Sequence, residues 1–139
     1  ARGHNAPLYA TSSFTTVAPQ LYEMAGVSAE DVDVVQSYEN FTGGVLMSLA
    51  EHGFFTAEEA NDFLVVDNLA APAGQLPLNT SGGNLAECYM HGLELVIEAA
   101  RQLRGDSTSP VPDANISMVI SGPMVTPVSS LILGSESTL

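Results

Sequence analysis

Positive charge is almost missing from this sequence. Its 139 residues contain no lysine and three arginines, Arg2, Arg101 and Arg104, against 16 acids, for a formal net charge of −13. A nucleic-acid partner is thereby excluded, because neutralising phosphates needs a basic patch. The plainer use of so much negative charge is solubility. Cysteine is scarce too. Cys88 stands alone, which rules out a disulfide or a CxxC metal site within the chain. A single thiol fits a reducing compartment, so a cytoplasmic location is expected. His4, His52 and His91 show no HExxH or similar spacing, so no metal centre is expected. No apolar run reaches the length that spans a bilayer, and no secretory leader pattern is present, so no membrane is expected as a partner. The first residue is Ala1 rather than Met, and polar and small residues precede the first clear periodicity, as in the tail of a longer chain.

What is present is a core. Apolar residues make up 45% of the chain, enough for one folded domain. Residues 1–14 read as a strand or extended arm. Val17, Leu21 and Met24 have helical spacing, and Gly26 is a natural stop. Ser28 suits the cap of a short turn, and Val32, Val34 and Val35 suggest a short buried strand. Val45, Leu46, Leu49 and Phe54 fit a helix ending near Gly53; the doublet Gly43-Gly44 at its start suggests something packed close to the backbone. Thr56 and Glu59 match a capping box that opens a short helical turn followed by loop. Residues 76–80 read as a short strand. The strongest helix spans 86–104, with Leu93, Val96, Ile97, Ala100 and Leu103 on one face and Gly105 at its end. The segment 106–113 is a surface linker, and "ANISMVIS" and "PVSSLILG" are two strands around a tight connection. The order helix, strand, helix, strand, helix, strand, strand implies an α/β layered sandwich with a mixed sheet.

Ligands of open α/β sheets gather where strands lead into helices. Two such junctions stand out, "VVQSYENFTGG" with Tyr38 and "LPLNTSGGNLAECYMHG" with Tyr89 and His91. Both tyrosines can meet in one cleft. A phenol ionises near pH 10, and the positive end of a helix dipole would favour its phenolate and strengthen the hydroxyl as a donor. Such a tyrosine can protonate a developing enolate, or take a proton through a partner. Backbone N–H groups at Gly82-Gly83, or along "SGPM" (121–124), suit an oxyanion. Each residue also has an ordinary reading. A tyrosine at a strand end is commonly a core residue with a tethered hydroxyl. His91 reads as a packing residue, Cys88 as a small buried hydrophobe, and Asn79 and Ser81 as turn formers. For Glu39, Glu51 and Glu87 the ordinary reading is solvation.

These same stretches carry a resemblance. The segment "NTSGGNLAECYMHG" is similar, without gaps, to the thiolase strand–loop–helix of the form N-x-x-G-G-x-x-x-x-G-H-P-x-G. Asn79, Gly82, Gly83 and Gly92 match, while Cys88 replaces the glycine, Tyr89 the catalytic histidine and Met90 the proline. "YENF" resembles the thiolase N-E-A-F motif, with Tyr38 in the asparagine place and Phe41 matching. "VISGPM" resembles C-x-G-G-G-M, with Val119 where the second catalytic cysteine stands. The frame covers roughly residues 10–134, and its Claisen chemistry is gone. The pattern resembles the lipid-transfer-protein branch of the thiolase superfamily, the steroid side-chain aldolases of bacterial sterol degradation.

The resemblance implies a thiolase-like sandwich half, with a mixed sheet of the five-stranded type covered by helices. Residues 1–139 would then be a C-terminal thiolase-like domain, with the N-terminal half supplied elsewhere or as a separate subunit. It implies retro-aldol cleavage of a β-hydroxyacyl-CoA bearing a steroid ring system, giving a ketone and a short acyl-CoA. Tyr38 and Tyr89 would do the acid–base work, with His91 as a possible relay. Asn79, Gly82, Gly83, Ser121 and Gly122 would bind substrate or oxyanion. No cofactor is implied, since coenzyme A is part of the substrate, and its phosphates would be held mostly by another segment. A partner with a zinc-ribbon and OB-fold domain is implied, and a homodimer or heterotetramer. Two other readings stand beside this one: a thiolase or acyl-CoA acyltransferase with its nucleophilic cysteine in the other half, and a non-catalytic acyl-CoA- or sterol-binding subunit.

Overall fold

In "DVDVVQSY" every residue from Val34 to Ser37 is uncharged, and all four are buried. They form β1 (Val34–Ser37) of a sheet seen in a computed structural model that describes residues 11–122 and 126–138. β1 runs parallel to β2 (Ile116–Ser121), in register from Val34 opposite Ser117 to Ser37 opposite Ile120. β2 pairs antiparallel with β3 (Ser129–Gly134), from Ile116 opposite Gly134 to Ser121 opposite Ser129. The sheet is mixed, as the alternation of elements implies.

Where the resemblance implies five strands, the described residues show three. The strand expected over 76–80 is reduced to one parallel bridge, Leu78 to Val35, closed by Val35 N–H to Pro77 O (3.0 Å) and Asn79 N–H to Val35 O (2.9 Å). Beyond it the side chain of Asn79 continues the ladder. Its Oδ1 accepts the Ser37 N–H (2.7 Å), and its Nδ2 donates to Ser37 O (3.0 Å). An amide side chain carries the same donor and acceptor as a peptide group, so the chain turns away here and the edge stays paired.

Successive residues of a strand face opposite ways, and this divides the core. Val35, Met118 and Ile120 pack with Phe14, Val32 and Leu76 and with Val45 and Leu49 of α2 (Thr42–Glu51). Val17 and Leu21 of α1 (Val17–Ala25) cover the same cluster, and α1 ends at Gly26 as expected. Met24 is the exception to the predicted stripe, being 85% exposed. On the other face Val119 packs against Leu95 and Ala99 of α6 (Leu93–Arg104). Short helices α3 (Ala60–Phe63) and α4 (Val66–Leu69) follow the Thr56–Glu59 capping contacts, and α5 (Gly83–Ala86) precedes α6. At Gly43 the expected close approach is absent, since a Cβ there would meet nothing within 4 Å.

The long helix predicted over 86–104 is corrected in two ways. It breaks after α5, and α6 starts only at Leu93. Its buried face is also not the predicted apolar one. Glu94, Leu95, Glu98, Ala99 and Gln102 face inward, while Leu93 is 55% exposed. The acids can be buried because each finds donors. Glu98 Oε1 accepts from Thr80 Oγ1 (2.6 Å), Gln102 Nε2 (2.8 Å) and Ser107 Oγ (2.8 Å). Buried polar groups are tolerated when hydrogen-bonded in this way.

With so few cations, carboxylates are satisfied by main-chain N–H groups. Arg101–Glu87 at 3.8 Å is the one ion pair among the described residues. Glu51, expected to be solvated, instead accepts the N–H groups of Ser12 (2.8 Å) and Phe14 (2.6 Å) and the Thr11 hydroxyl. Of the extended arm expected over 1–14, residues 1–10 lie outside the described residues, and 11–14 form this turn. Asp33 likewise accepts from the N–H groups of Asn115 (2.7 Å) and Ile116 (2.9 Å), which starts β2.

His52 closes α2 and is buried against Phe14. Its Nδ1–H donates to Ser48 O (2.6 Å), which leaves Nε2 to accept from Ser130 Oγ (2.9 Å) on β3. Burial pushes its pKa below the usual histidine value, against the opposing pull of Ser48 O and Glu51. The folded state therefore prefers the neutral ring, and its stability is whole above about pH 6.5, the unfolded value. Stability should fall as pH drops through that value toward the lower folded one. Unfolding midpoints measured from pH 8 to 5 should show this slope in the wild type and a shallower one in His52→Gln; equal slopes would remove His52 as its cause.

Candidate active site

β1 ends at Ser37, and the next residue is held by Tyr38 N–H to Ile120 O (2.8 Å), which carries the Tyr38 side chain out over the sheet's end. From the other side comes the bend between α5 and α6, residues 87–92. There His91 and Gly92 both take left-handed backbone, φ +58° and +90°. The two excursions meet. The hydroxyls of Tyr38 and Tyr89 lie 2.5 Å apart, and His91 stands beside both rings, 6.2 Å from Tyr38 and 5.8 Å from Tyr89 between centroids. Tyr89 is 54% exposed, so this pair opens to solvent and is not closed into the core.

Two acids hold the two excursions in place, and the sequence did not single them out for it. Glu39 accepts the main-chain N–H of Asn84, the Asn84 side-chain amide (2.8 Å) and the Asn79 amide (3.4 Å). It thereby clamps the Tyr38 loop to the glycine-rich turn, and a Cβ on Gly83 would overlap its carboxylate. Glu94 accepts the N–H groups of Met90 (2.9 Å) and Gly92 (3.1 Å). The available sequence signal for Glu94 was an acid two residues after Gly92, which solvation explains equally well, and Glu39 had no local signal, because the turn it clamps lies more than 40 residues away.

A cleft of about 360 Å³ lies against the pair, lined by Tyr38, Asn40, His91, Ser121 and Gly122. A second of similar volume adjoins it through His91 and Ser121 and runs past Gly92, Val96, Val119 and Leu131. Val119, in the position of the second thiolase cysteine, thus faces this second cleft from β2. Exposed Phe41, Leu85, Met90 and Leu93 on nearby segments add apolar surface.

Of the residues singled out from sequence, Tyr38, His91, Ser121 and Gly122 line one cleft, and Tyr89 joins it through its hydroxyl. Pro123 and Met124 of the expected oxyanion stretch lie outside the described residues. Asn79, Gly82 and Gly83 sit one step behind. The Asn79 amide is engaged with Ser37 and Glu39, the Gly82 N–H donates to Asn79 O (2.8 Å), and Gly83 is buried under Glu39. The Ser121 hydroxyl donates within the β2–β3 pair, toward Ser129. Cys88, expected to be buried, is exposed, because the helix has broken before it.

The electrostatics also depart from expectation. Tyr89 is not in the first turn of a helix, since α6 starts four residues later. Nor does the site favour a phenolate at Tyr38. Its pKa is pushed up to about 12, first by the hydrogen bond with Tyr89, then by desolvation, then by the charges of Tyr89, Glu94 and Glu39. A proton shared between two phenols costs energy to remove, and two carboxylates nearby add to that cost. Tyr38 is therefore held as the neutral phenol.

Comparison with known proteins agrees with the frame. A family model described as thiolase C-terminal domain-like matches residues 3–135. A 17-hydroxy-3-oxo-4-pregnene-20-carboxyl-CoA lyase of Mycobacterium tuberculosis is 42% identical over 118 residues, covering 85% of this chain and 30% of that protein. A steroid side-chain-cleaving aldolase of Thermomonospora curvata is 41% identical over 120 residues, covering 86% of this chain and 30% of that protein. The solved Ltp2-ChsH2(DUF35) aldolase superposes with a TM-score of 0.85 at 36% identity, over 96% of this chain and 34% of that one. The chain thus spans about a third of the length of the relatives it matches.

Proposed function

Because the chain belongs to the thiolase C-terminal domain-like family, we propose that it supplies the proton-transfer site of a lyase, one that cleaves a β-hydroxyacyl-CoA by a retro-aldol reaction. The substrate is a steroid side-chain thioester, and the products are a ketosteroid and a short acyl-CoA. The observation that carries the reading is the Tyr38–Tyr89 hydroxyl pair at 2.5 Å, standing where thiolases keep other groups. Likeness to a 17-hydroxy-3-oxo-4-pregnene-20-carboxyl-CoA lyase and to a steroid side-chain-cleaving aldolase supports the reaction class and the steroid substrate.

The chemistry needs one proton moved from the substrate's tertiary hydroxyl to the carbon next to the thioester. As the hydroxyl loses its proton to one phenol, the C–C bond breaks. The electron pair passes to the thioester side as an enolate, and the oxygen becomes the ketone. The second phenol protonates the enolate carbon. A short hydrogen bond between the phenols lets the first hand its own proton to the second, so no free phenolate need persist. That suits a pair whose Tyr38 resists ionisation up to about 12. No covalent acyl-enzyme is required, which is consistent with Val119 in the cysteine position. Asn79, Gly82 and Gly83 shape the turn behind the phenols, and Ser121 and Gly122 line the substrate cleft.

The remaining parts belong to the same proposal. An N-terminal thiolase-like half, in the same chain or another, completes the cleft and holds the phosphates of coenzyme A, for which Arg101 and Arg104 offer little. A zinc-ribbon and OB-fold partner is proposed by likeness to the two-component Ltp2-ChsH2(DUF35) aldolase. Dimeric assembly and a cytoplasmic location complete it. To test the reading, the full-length protein is incubated with a steroid β-hydroxyacyl-CoA and no free coenzyme A. Ketosteroid and acyl-CoA in equal amounts are expected. Binding without cleavage would favour a carrier subunit, and cleavage only with added coenzyme A a thiolase.

A further inference from the structure

We infer that Glu94 is the positioning residue of the tyrosine site: its buried carboxylate ties the Met90–Gly92 bend to the first turn of α6 and so sets Tyr89 and His91 against Tyr38. The inference rests on the aldolase reading for what the site does, but its geometry stands alone.

Glu94 is 2% exposed and has no cation within ion-pair reach among the described residues. Both of its oxygens face the bend. Oε2 accepts the Met90 N–H at 2.9 Å, and both oxygens lie 3.1 Å from the Gly92 nitrogen. Between those two donors sits His91, a non-glycine residue at φ +58°. Left-handed backbone at such a residue is strained and persists only where its surroundings hold it. The backbone alone holds this bend weakly, since Leu93 N–H to Met90 O and Leu95 N–H to Gly92 O are long, at 3.3 and 3.2 Å. The carboxylate supplies the shorter contact. It also lies at the N-terminus of α6, where an anion is favoured.

The position has an electrostatic consequence. The groups facing the Tyr38 hydroxyl are Tyr89 and His91 from the bend, Glu94 from α6 and Glu39 from its own loop. Glu39 is committed to Asn84 and Asn79. Glu94 is the charge that α6 brings to the bend, so the residue that places Tyr89 also helps keep Tyr38 protonated. An ordinary helix cap would do only the first.

Glu94→Gln in the full-length protein separates the two. It keeps the shape, removes the charge and turns one acceptor into a donor facing an N–H. Turnover of a steroid β-hydroxyacyl-CoA should fall about 10- to 100-fold in kcat with KM little changed. In an alkaline absorbance titration, the Tyr38 signal, isolated by subtracting a Tyr38→Phe control, should move to lower pH. A kcat within twofold of wild type, or a Tyr38 titration that does not move, would overturn the inference. If Glu94→Gln does not fold, Glu94→Asp keeps the charge but draws the carboxylate back by one methylene. Its kcat should fall while the Tyr38 titration stays; a wild-type kcat would overturn the inference. A wild-type protein that cleaves nothing would end the aldolase reading alone, because the titration still reports on Glu94.

Discussion

Replacing either Tyr38 or Tyr89 with phenylalanine should lower kcat for carbon–carbon cleavage by about 10²–10⁴-fold, the usual contribution of a positioned acid or base. Each substitution removes one oxygen and leaves the ring. Tyr89 is half exposed and Tyr38 opens onto the cleft, so neither hydroxyl supports the core, and the unfolding midpoint should stay near wild type. KM should change little, because the lost contact is one that matters as the bond breaks. The double variant should be scarcely slower than the slower single one, since members of one relay are not additive. Tyr22 is the internal control. Its hydroxyl donates to His52 O (2.8 Å) and its ring packs on the core cluster of the opposite sheet face from Tyr38, while burial pushes its pKa up to about 12. Tyr22→Phe should cost stability and spare kcat. Full activity in both Tyr38→Phe and Tyr89→Phe would end the tyrosine mechanism.

The second large effect is expected from a methyl group. Gly92 has φ +90°, and a Cβ there would lie 3.1 Å from Tyr38 Cδ2. Alanine at this position is strained by its backbone whatever the space, by about 1–2 kcal/mol. It must also push on the Tyr38 ring, which is packed between Gly92 and the second core cluster. The ring must give by a few tenths of an ångström, short of the full ångström that can cost about 10²-fold in rate, so kcat for Gly92→Ala should fall by about 10-fold. Gly105 separates the two causes. It has φ +72° at the end of α6, with open space around it. Gly105→Ala should therefore lower the unfolding midpoint by a similar amount and leave kcat unchanged. Equal rates in the two variants would mean that the Gly92–Tyr38 contact does not position the phenol.

Local punctuation was legible in the sequence, and the choice between competing faces was not. Gly26, the Ser28 cap and the Thr56–Glu59 cap follow from short-range chemistry and are where their residues imply, and the strand read on Val32, Val34 and Val35 is β1, which starts at Val34. The meeting of Tyr38 and Tyr89 followed from placing both at strand-to-helix junctions on one edge of a sheet, although the helix after Tyr89 starts later than expected. α6 shows the limit. Leu93, Val96, Ile97, Ala100 and Leu103 form a good apolar stripe, yet the face turned to the sheet holds Glu94, Glu98 and Gln102. Periodicity ranks faces by side-chain polarity and cannot see that Thr80, Ser107 and the Met90–Gly92 amides will meet those polar groups. The same blindness placed Glu39 and Glu51 in solvent. In a chain with 16 acids and three arginines, carboxylates find main-chain N–H groups instead, and those donors leave no trace in composition. The strand over 76–80 was overextended for a related reason, since the Asn79 side chain does the work of a further peptide pair.

The claim that phenols have replaced acyl-transfer chemistry with bond cleavage is tested most directly by where a solvent proton goes. The full-length protein is run on a steroid β-hydroxyacyl-CoA in D2O, without free coenzyme A, and both products are analysed by mass. The site described here predicts a single solvent deuterium on the carbon beside the thioester and none in the ketone. An acyl group that moves onto added coenzyme A, with no cleavage in its absence, would contradict it.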